Sequence, residues 1–294
     1  MIEQSLYEHL QEQEDLRPYL ATYENKMAIF NQEAPADNDD KWGPGPQYGR
    51  IVFFVNLQGD PERTLGGTLS VDILCKEDEQ YPEDIEPVLR NLIHGYFFSR
   101  ETFVVSAQWK GSTPFTEPTN KVTGFTVTFD LLAFPVSDYA PHVIAQFNEW
   151  SSGIDDLYII NHDNLPTAAW KPSGGKTAVY WRAAREEPCT WIRSTFATEF
   201  ISATVKGYIF SESPVKAAEV ANDLKIRLYA IKRLMKDGTL LRAGESPIIV
   251  NRRNIVDNGA DPLRAGQLTV EATYGVVIHY ESGETIRNIN YPRM

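Results

Sequence analysis

The pattern of hydrophobic and polar positions changes its period several times along the first half of the chain. Ile2, Leu6 and Leu10 lie four residues apart among glutamates and glutamines, which predicts a short amphipathic helix at the start. Later segments rich in β-branched and aromatic residues predict strands, and a helical spacing that begins at Pro82 predicts a longer helix between them. The predicted strands cover residues 50–57, 67–75, 103–109 and 124–134, and the longer helix covers 82–98.

The second half repeats these changes of period. A first helix is predicted by Val143, Ile144, Phe147 and Trp150. A second, longer helix is opened by a proline, as in the first half. The predicted helices cover residues 139–150 and 214–235, and the predicted strands cover 177–182, 200–210, 247–250 and 267–280.

Both halves therefore have the same order of elements: helix, Pro/Gly-rich loop, strands, longer helix, strand, long loop and final strand. Pro82 and Pro214 open the two equivalent helices, and the final strands begin at similar segments after Gly124 and Gly266. A length of 294 residues also suits two domains better than one. We predict an α+β fold of two tandem similar domains, 1–136 and 137–294, each a mostly antiparallel sheet packed against helices.

The charge of the chain divides unevenly between these halves. Residues 1–150 contain 24 acidic and 10 basic side chains, a net charge of −14, whereas residues 151–294 contain 16 and 18, a net charge of +2. An acidic chain does not attract the phosphate backbone as a whole, so direct binding to nucleic acid is disfavoured. The asymmetry predicts two surfaces of different sign.

The segment 171–177 (KPSGGKT) resembles a phosphate-binding loop only in its last residues. Trp170 occupies the position of the required first glycine, and the residues after Thr177 predict a strand where a phosphate loop needs a helix. The five histidines form no pair with metal-ligand spacing, and no nucleophile elbow is present. The sequence therefore predicts a protein that is not an enzyme and has no catalytic, cofactor or metal site.

The location of the protein is constrained by two further features. Cys75 and Cys189 have no CxxC or Cys/His context, which favours a reducing compartment. The first residues lack the features of a signal peptide, and no apolar run is long enough to span a bilayer. Synthesis in the cytoplasm without a membrane partner is the expectation.

Two polar segments in equivalent positions, 111–121 and 250–265, are predicted to be long loops that reach a partner. In the second segment and beside it, basic residues form either an electropositive contact surface or a solvated face balanced by nearby acids. The candidate contact residues are Thr113, Phe115, Glu117, Arg252, Arg253 and Arg264.

The repeated unit resembles the tail completion, or tail terminator, proteins of tailed bacteriophages, which join tails to heads. The resemblance rests on the polar helix at 2–13, the strand that ends in an acidic turn with its following helix (SVDILCKEDEQYPEDIEPVL), and the final strand GFTVTFDLLAFP. In the second half, ATVKGYIFSESPVKAAEVANDLKIRLYAI has the same order. Members of that family usually contain one such unit, so the duplication is a departure.

This resemblance implies a structural virion protein in the tail or neck that caps the tail tube as a homo-oligomeric ring, expected to be a hexamer. Its partners would be other copies of the chain, the tail tube protein and the head–tail connector protein, with DNA passing through the lumen without specific binding. One alternative is another neck, collar or tube component of a phage or phage-like particle. The other is a carbohydrate-binding module or hydrolase, for which the six tryptophans would be the candidate sugar-stacking residues.

Overall fold

The structure is a computed structural model that describes residues 2–58, 65–77, 79–100, 103–136, 142–165, 168–195, 198–231, 233–234, 248–257 and 266–277. It is a mixed fold of helices and sheets, in agreement with the predicted α+β class. Helices α1 to α4 span Ile2–Gln11, Pro82–Ile93, His142–Ser152 and Pro214–Ala230. Strands β1 to β8 span Thr22–Tyr23, Lys26–Met27, Ile29–Asn31, Arg50–Leu57, Leu65–Lys76, Phe97–Arg100, Phe103–Glu117 and Val122–Pro135. Strands β9 to β14 span Leu157–Ile159, Thr177–Pro188, Thr198–Phe210, Arg233–Leu234, Ile248–Asp257 and Leu268–Val277.

The first large sheet contains six strands in the order β3-β4-β5-β8-β7-β6. Strand β3 runs parallel to β4, and the other neighbours are antiparallel. Leu69, Val71 and Ile73 are at most 1% exposed on one face of β5, whereas Ser70 and Asp72 point to the other face and are half-buried. The four strands predicted in this half are confirmed, and three of them are longer than predicted.

The second large sheet contains six strands in the order β9-β10-β11-β14-β13-β12. Its first two strands are parallel and the others antiparallel, so each strand has a counterpart in the first sheet at the same place and in the same direction. The helices also correspond, because α1 and α3 precede the short parallel strands while α2 and α4 precede the short strands at the opposite edge. The two sheets thus have one topology.

Each sheet buries one face against its two helices. In the first sheet, apolar residues of α1 and α2 lie against the inward face of the strands, and α3 and α4 cover the second sheet in the same way. The helical spacing of these residues gives each helix its buried stripe. The helix residues that are at most 2% exposed include Ile2, Leu6, Leu10, Ile85, Leu89, Ile93, Val143, Phe147, Leu224 and Leu228.

A third apolar cluster joins the two sheets. Phe134 is 1% exposed, and its ring lies 5.0 Å from the ring of Tyr180 and 5.3 Å from that of Phe210, between centroids. The Tyr180 hydroxyl donates a hydrogen bond to the Pro135 carbonyl at 2.6 Å. Phe97, in edge strand β6, exchanges two backbone hydrogen bonds with Trp170. The cluster therefore fixes the two sheets against each other with aromatic packing on their outer faces.

The predicted helix 82–98 is wrong beyond Ile93. The His94 amide donates the last helical bond to Arg90 at 2.8 Å, and His94 itself is extended. Gly95 then has a φ of +80°, a conformation that favours glycine and turns the chain away from the helix axis. Phe97–Arg100 becomes edge strand β6 instead.

The predicted helix 214–235 is also too long. Ser213 caps its start by accepting a hydrogen bond from the Lys216 amide at 3.2 Å, with Pro214 in the first turn. The helix ends at Ala230, because Ile231 is extended and Arg233–Leu234 forms β12. Of the other predictions, the helix at 139–150 is observed from His142, and the strand at 267–280 is observed as Leu268–Val277; residues 139–141 and 278–280 lie outside the described residues.

Candidate assembly interface

The hairpin of β7 and β8 extends beyond the edge strand that covers its beginning. Strand β6 pairs only with Phe103 to Ser106, and the turn after α2 bonds to the backbone of Ala107. From Gly111 to Glu117, β7 pairs with β8 on its inner side, while no strand in the described part of the chain pairs with its outer side. An unpaired edge of this length can accept a strand or loop from another chain.

The predicted loop at 111–121 is therefore wrong, because most of it is strand. β7 continues to Glu117, and only Pro118 to Lys121 form the turn. Lys121 has a φ of 51°, and the Asn120 side chain donates a hydrogen bond to the Glu117 carboxylate at 2.9 Å, which closes the turn. Removing this segment would cut a strand of the sheet, so point substitutions are the suitable tests.

The three candidate residues of the first half lie on this open part of β7. Thr113 and Glu117 are exposed, and Phe115 is half-buried. Phe115 covers Gly124 on β8, where an added Cβ would lie 2.6 Å from the Phe115 ring and 1.9 Å from the Ile73 carbonyl oxygen. Phe115 therefore supports the hairpin, whereas Thr113 and Glu117 are the accessible members of the group.

Two candidate residues of the second half, Arg252 and Arg253, lie on β13, which is the counterpart of β7 in the sheet order. The predicted loop at 250–265 is wrong for residues 250–257, which are strand; residues 258–265, with Arg264, lie outside the described residues. Between Val250 and Ile255 the register with β14 shifts, and Arg252 and Arg253 lie within this bulge. Arg252 is exposed. Bulges bend a strand and redirect its side chains, which suits a contact position.

The two groups of candidate residues are thus on equivalent strands of different sheets, and no described contact brings them together. β7 carries a bulge as well, between Trp109 and Gly111. Both strands are next to a short edge strand that, within the described residues, pairs with only the beginning of each. As far as the structure is described, the repeated geometry gives the two sheets similar open edges of different charge, acidic at Glu117 and basic at Arg252.

A network of polar side chains holds the open part of β7 to helix α2. The Ser112 hydroxyl donates to the Glu86 carboxylate at 2.6 Å and accepts from the Trp109 indole nitrogen at 3.1 Å. The Arg90 guanidinium lies over the Trp109 ring, 4.8 Å from its centroid, and 3.6 Å from Glu86. The sequence does not predict this network, because the residues meet only through the pairing of distant elements.

His94 anchors β7 where the network begins. Its Nδ1 accepts a hydrogen bond from the Trp109 amide at 3.0 Å, so this nitrogen must be unprotonated. Burial lowers the pKa of His94 below its usual value, and the nearby charges of Lys171 and Arg90 lower it further. The neutral imidazole is therefore the form that the fold requires.

Acidification should destabilise the protein in part through His94. A histidine whose pKa is lowered in the folded state contributes stability that is complete above the ordinary value, about 6.5, and is lost as the pH falls below it. The amide oxygen of His94→Gln can accept the same hydrogen bond at any pH. We therefore expect this variant to lose less free energy of unfolding than the parent chain when the pH falls from 7.5 to 5. Urea denaturation at both pH values measures it, and His162→Gln, in a surface turn, is the matched control. A His94→Gln variant as acid-sensitive as the parent chain would contradict the assignment.

The loop before β4 is fastened to the same sheet by stacked aromatic and charged groups. Arg50 is 5% exposed and lies between the rings of Trp42 and Tyr48, at 4.8 Å and 4.1 Å from their centroids. It also contacts the Asp37 carboxylate at 2.5 Å, and this hydrogen bond is the main reason why the pKa of Asp37 is lowered. The stacked groups rigidify a Pro/Gly-rich segment.

The sequence features that suggested chemistry lie in strands or in the core. The segment that resembles a phosphate loop leads directly into strand β10, as predicted, and the Thr177 hydroxyl is 3.1 Å from that of Ser211. Burial raises the pKa of the Cys75 thiol to about 12. In the described part of the chain, no three His, Cys, Asp or Glu side chains come together as ligands for a metal ion.

The tryptophans considered for sugar stacking are mostly packed into the protein. Trp181 is 1% exposed, whereas Trp109 and Trp191 are 41% and 47% exposed. Trp109 lies on β7 of the first sheet, and Trp191 lies beyond the end of β10 of the second. Trp42, Trp150 and Trp170 each pack against neighbouring aromatic rings.

Comparison with known proteins gives no relative, since no family model, curated protein or solved structure matches the chain significantly. Within the described residues, no helix has both the length and the apolar character needed to cross a bilayer. The functional argument therefore depends on the geometry of the two sheets and their open edges.

Proposed function

We propose that the protein is a structural, non-catalytic component of a phage or phage-like virion, a tail terminator that caps the tail tube and joins the tail to the head connector. The observation that carries the proposal is the presence of two sheets of one topology in a single chain, each with a strand edge that no other described strand covers completely. Open edges on opposite halves allow each copy to contact the next around a ring.

We further propose that the two units arose by tandem duplication, with domains at 1–136 and 137–294. Support comes from the strand order, which is the same in both sheets even where the residues differ. The duplication explains why Thr113 and Arg252 lie on equivalent strands although their surroundings differ. A ring of six chains would then contain twelve units, and a ring of three chains would imitate a six-fold ring; we propose the hexamer.

The two units would have different tasks in this ring. The net charge of −12 in the first unit, which has 22 acidic and 10 basic side chains, suits a lumen through which DNA slides without binding, because like charges repel the phosphates. The second unit has 18 acidic and 18 basic side chains and no net charge, so its exposed Arg252 can contact an acidic surface, such as a neighbouring unit or the tail tube protein, without overall repulsion. Virion assembly in the bacterial cytoplasm follows from this role.

Joining of tails to heads should depend on Arg252. This side chain is exposed on a bulge of β13, so Arg252→Glu should reverse its charge without disturbing a core. We expect a severalfold decrease in the fraction of heads that carry tails, counted by electron microscopy, and a partial recovery at high salt because salt screens the new repulsion. Lys176→Glu makes the same charge change in an exposed turn and should have no effect.

The position of the protein in the particle tests the proposal itself. Labelled protein should appear only at the head-proximal end of the tail, and tubes assembled from the tail tube protein should stop growing when it is added. Labelling along the tube or at the distal end would instead identify another tail component. Uninterrupted growth of the tubes, with no ring at their ends, would reject the terminator role.

A further inference from the structure

The two units of the chain contact each other partly through a short backbone pairing. Phe97 lies in β6, the edge strand of the first sheet, and Trp170 lies in the segment that leads into β10 of the second sheet. The Phe97 amide donates a hydrogen bond to the Trp170 carbonyl at 2.6 Å, and the Trp170 amide donates to the Phe97 carbonyl at 3.1 Å. A segment of the second unit therefore covers the edge of the first sheet at this point.

The first unit has an equivalent segment, which contains Trp42. Trp42 and Trp170 precede β4 and β10, which are equivalent strands, and each tryptophan has a proline two residues further along the chain. Each ring also packs on an aromatic side chain of the short parallel strand in its own unit. The Trp42 ring is 5.9 Å from that of Phe30 in β3, and the Trp170 ring is 4.5 Å from that of Tyr158 in β9, between centroids. The two tryptophans therefore occupy the same place in the repeated topology.

The backbone groups that Trp170 uses for its pairing are free at Trp42. Trp42 forms an antiparallel bridge with Tyr23 in which the flanking residues make the two hydrogen bonds, at 2.9 Å and 3.1 Å. In a pair of this kind, the amide and carbonyl of the bridging residue itself point away from the partner strand. No described residue hydrogen-bonds to the amide or carbonyl of Trp42, whereas the same two groups of Trp170 bind Phe97. The Trp42 segment can therefore pair with a further strand on its open side.

The second sheet has the matching edge at β12. Strands β6 and β12 are the outermost strands of their sheets, and each follows the second helix of its unit within four residues. Each also lies near the first helix of its unit, α1 or α3. The edge of β6 is covered at Phe97 by Trp170, but within the described residues no strand or bridge lies beyond β12. As far as the chain is described, one pair of segment and edge is complete, and a second segment and a second edge have no partner.

We propose that copies of the chain associate head to tail, with the Trp42 segment of one copy paired to the outer edge of β12 in the next copy. This contact repeats between chains the pairing that Trp170 makes with β6 within the chain. It is heterologous, so each copy presents one segment and one edge, and copies add in one direction until a ring closes. The inference rests on the proposed function, because it names the contact that would build the ring.

An exposed apolar patch lies where this second copy would sit. Within the chain, the contact between the units also buries Tyr180 and Phe210 on the outward faces of β10 and β11. On the outward faces of the equivalent strands β4 and β5, the first unit has Val52, Phe54 and Leu74, and Phe54 is 51% exposed. A second copy that packs on the first unit as the two units pack within the chain would cover this patch. The repeat therefore supplies an occupant for an apolar surface of the first sheet.

Cross-linking of mixed copies tests the direction of the contact. In a Cys189→Ser background, one variant carries Lys41→Cys beside Trp42, and another carries Arg233→Cys on β12. The remaining Cys75 is buried, and its thiol pKa is raised to about 12, so it should not react. We expect a short bis-maleimide reagent to join the two variants when they are mixed, and to join neither variant to itself.

Lys176→Cys is the matched control for this experiment. It places a thiol in an exposed turn of the second unit and should give no product with Arg233→Cys. Cross-linking of the Lys41→Cys or the Arg233→Cys variant to itself would indicate a symmetric contact and would contradict the proposal. Oligomers in which the mixed variants do not cross-link would overturn this contact, but they would leave the ring and the terminator role to the test on tail tubes.

The patch at Phe54 gives a second test, in which analytical ultracentrifugation measures association over a concentration series of the full chain. We expect Phe54→Glu to raise the dissociation constant at least about tenfold, because a charge would be buried against an apolar surface. Val215→Glu is the matched control, since Val215 is 70% exposed at the end of α4 opposite to β12 and should leave association unchanged. Circular dichroism checks that both variants are folded. A chain that is monomeric at every concentration, or an assembly that Phe54→Glu leaves intact, would overturn the pairing.

Discussion

Replacing Phe134 with alanine should lower the free energy of unfolding by about 3–5 kcal/mol, the usual cost of removing a buried phenylalanine. The side chain is 1% exposed at the centre of the cluster between the sheets. Its ring is within 5.5 Å of the rings of Tyr180, Tyr208 and Phe210, measured between centroids. These rings belong to strands of the second sheet, so they cannot close the cavity without moving one sheet relative to the other.

Denaturation in urea, followed by tryptophan fluorescence and circular dichroism, measures this loss. We also expect the two probes to separate in the variant, because weaker contact between the sheets allows the units to unfold at different concentrations of urea. Phe54→Ala, at a site that is 51% exposed, should change the free energy by no more than about 0.5 kcal/mol. A loss below about 1 kcal/mol for Phe134→Ala would show that the cluster is not tightly packed.

The sequence contains a signal for this cluster. Strands β8, β10 and β11 have consecutive apolar residues where they approach the other sheet, in LLAF, VYW and YIF. Continuous apolar runs indicate a strand that is buried on both faces, whereas alternation indicates burial on one face. The sequence does not show what buries the second face of these strands, because that depends on how the two sheets are arranged in space.

The alternating strands and the amphipathic helices were predictable because their signals are local. The β5 residues Leu69, Val71 and Ile73 alternate with polar neighbours, and those neighbours do face away from the helices. The order of elements then follows from the order of signals. The pairing of β3 with β4 and the position of β6 cannot be predicted from local signals, because short edge strands depend on distant partners.

The open part of β7 was mistaken for a loop for a physical reason. Gly111, Pro114 and Pro118 are typical of turns, and the residues between them are mostly polar. A strand whose outer edge is uncovered tolerates proline and needs little apolar alternation, so the usual strand signal is absent. The same applies to residues 251–254 of β13, where the bulge interrupts the alternation.

The role of Thr113, Glu117 and Arg252 as partner contacts remains a prediction, although their exposure is consistent with it. Phe115 is better explained by its packing over Gly124. The network of Glu86, Arg90, Trp109 and Ser112 could not be predicted, because two of its members belong to a helix and two to a strand more than 15 residues away. Only the register of β7 and the turn at His94 bring them together.

A methyl group added at Gly207 should have an effect almost as large as the loss of the Phe134 ring. An added Cβ would lie 2.5 Å from the Trp181 ring, a distance that real Cβ atoms do not show. Trp181 is held in place, because its indole nitrogen donates to the Ser151 hydroxyl at 3.0 Å and its ring packs on Phe147, 5.0 Å away between centroids. We expect Gly207→Ala to lower the free energy of unfolding by about 1–3 kcal/mol through overpacking.

Gly111→Ala is the matched control, because this glycine is also in a strand and nothing lies within 4 Å of an added Cβ. It should be neutral or slightly stabilising, since alanine reduces the conformational freedom of the unfolded chain. The decisive measurement is a double-mutant cycle with Trp181→Phe, whose smaller ring makes room for the methyl group. If the methyl group clashes with Trp181, Gly207→Ala lowers the free energy of unfolding by at least about 1 kcal/mol less in the Trp181→Phe background than in the parent chain. Additive effects of the two substitutions would show that the strain is not at this ring.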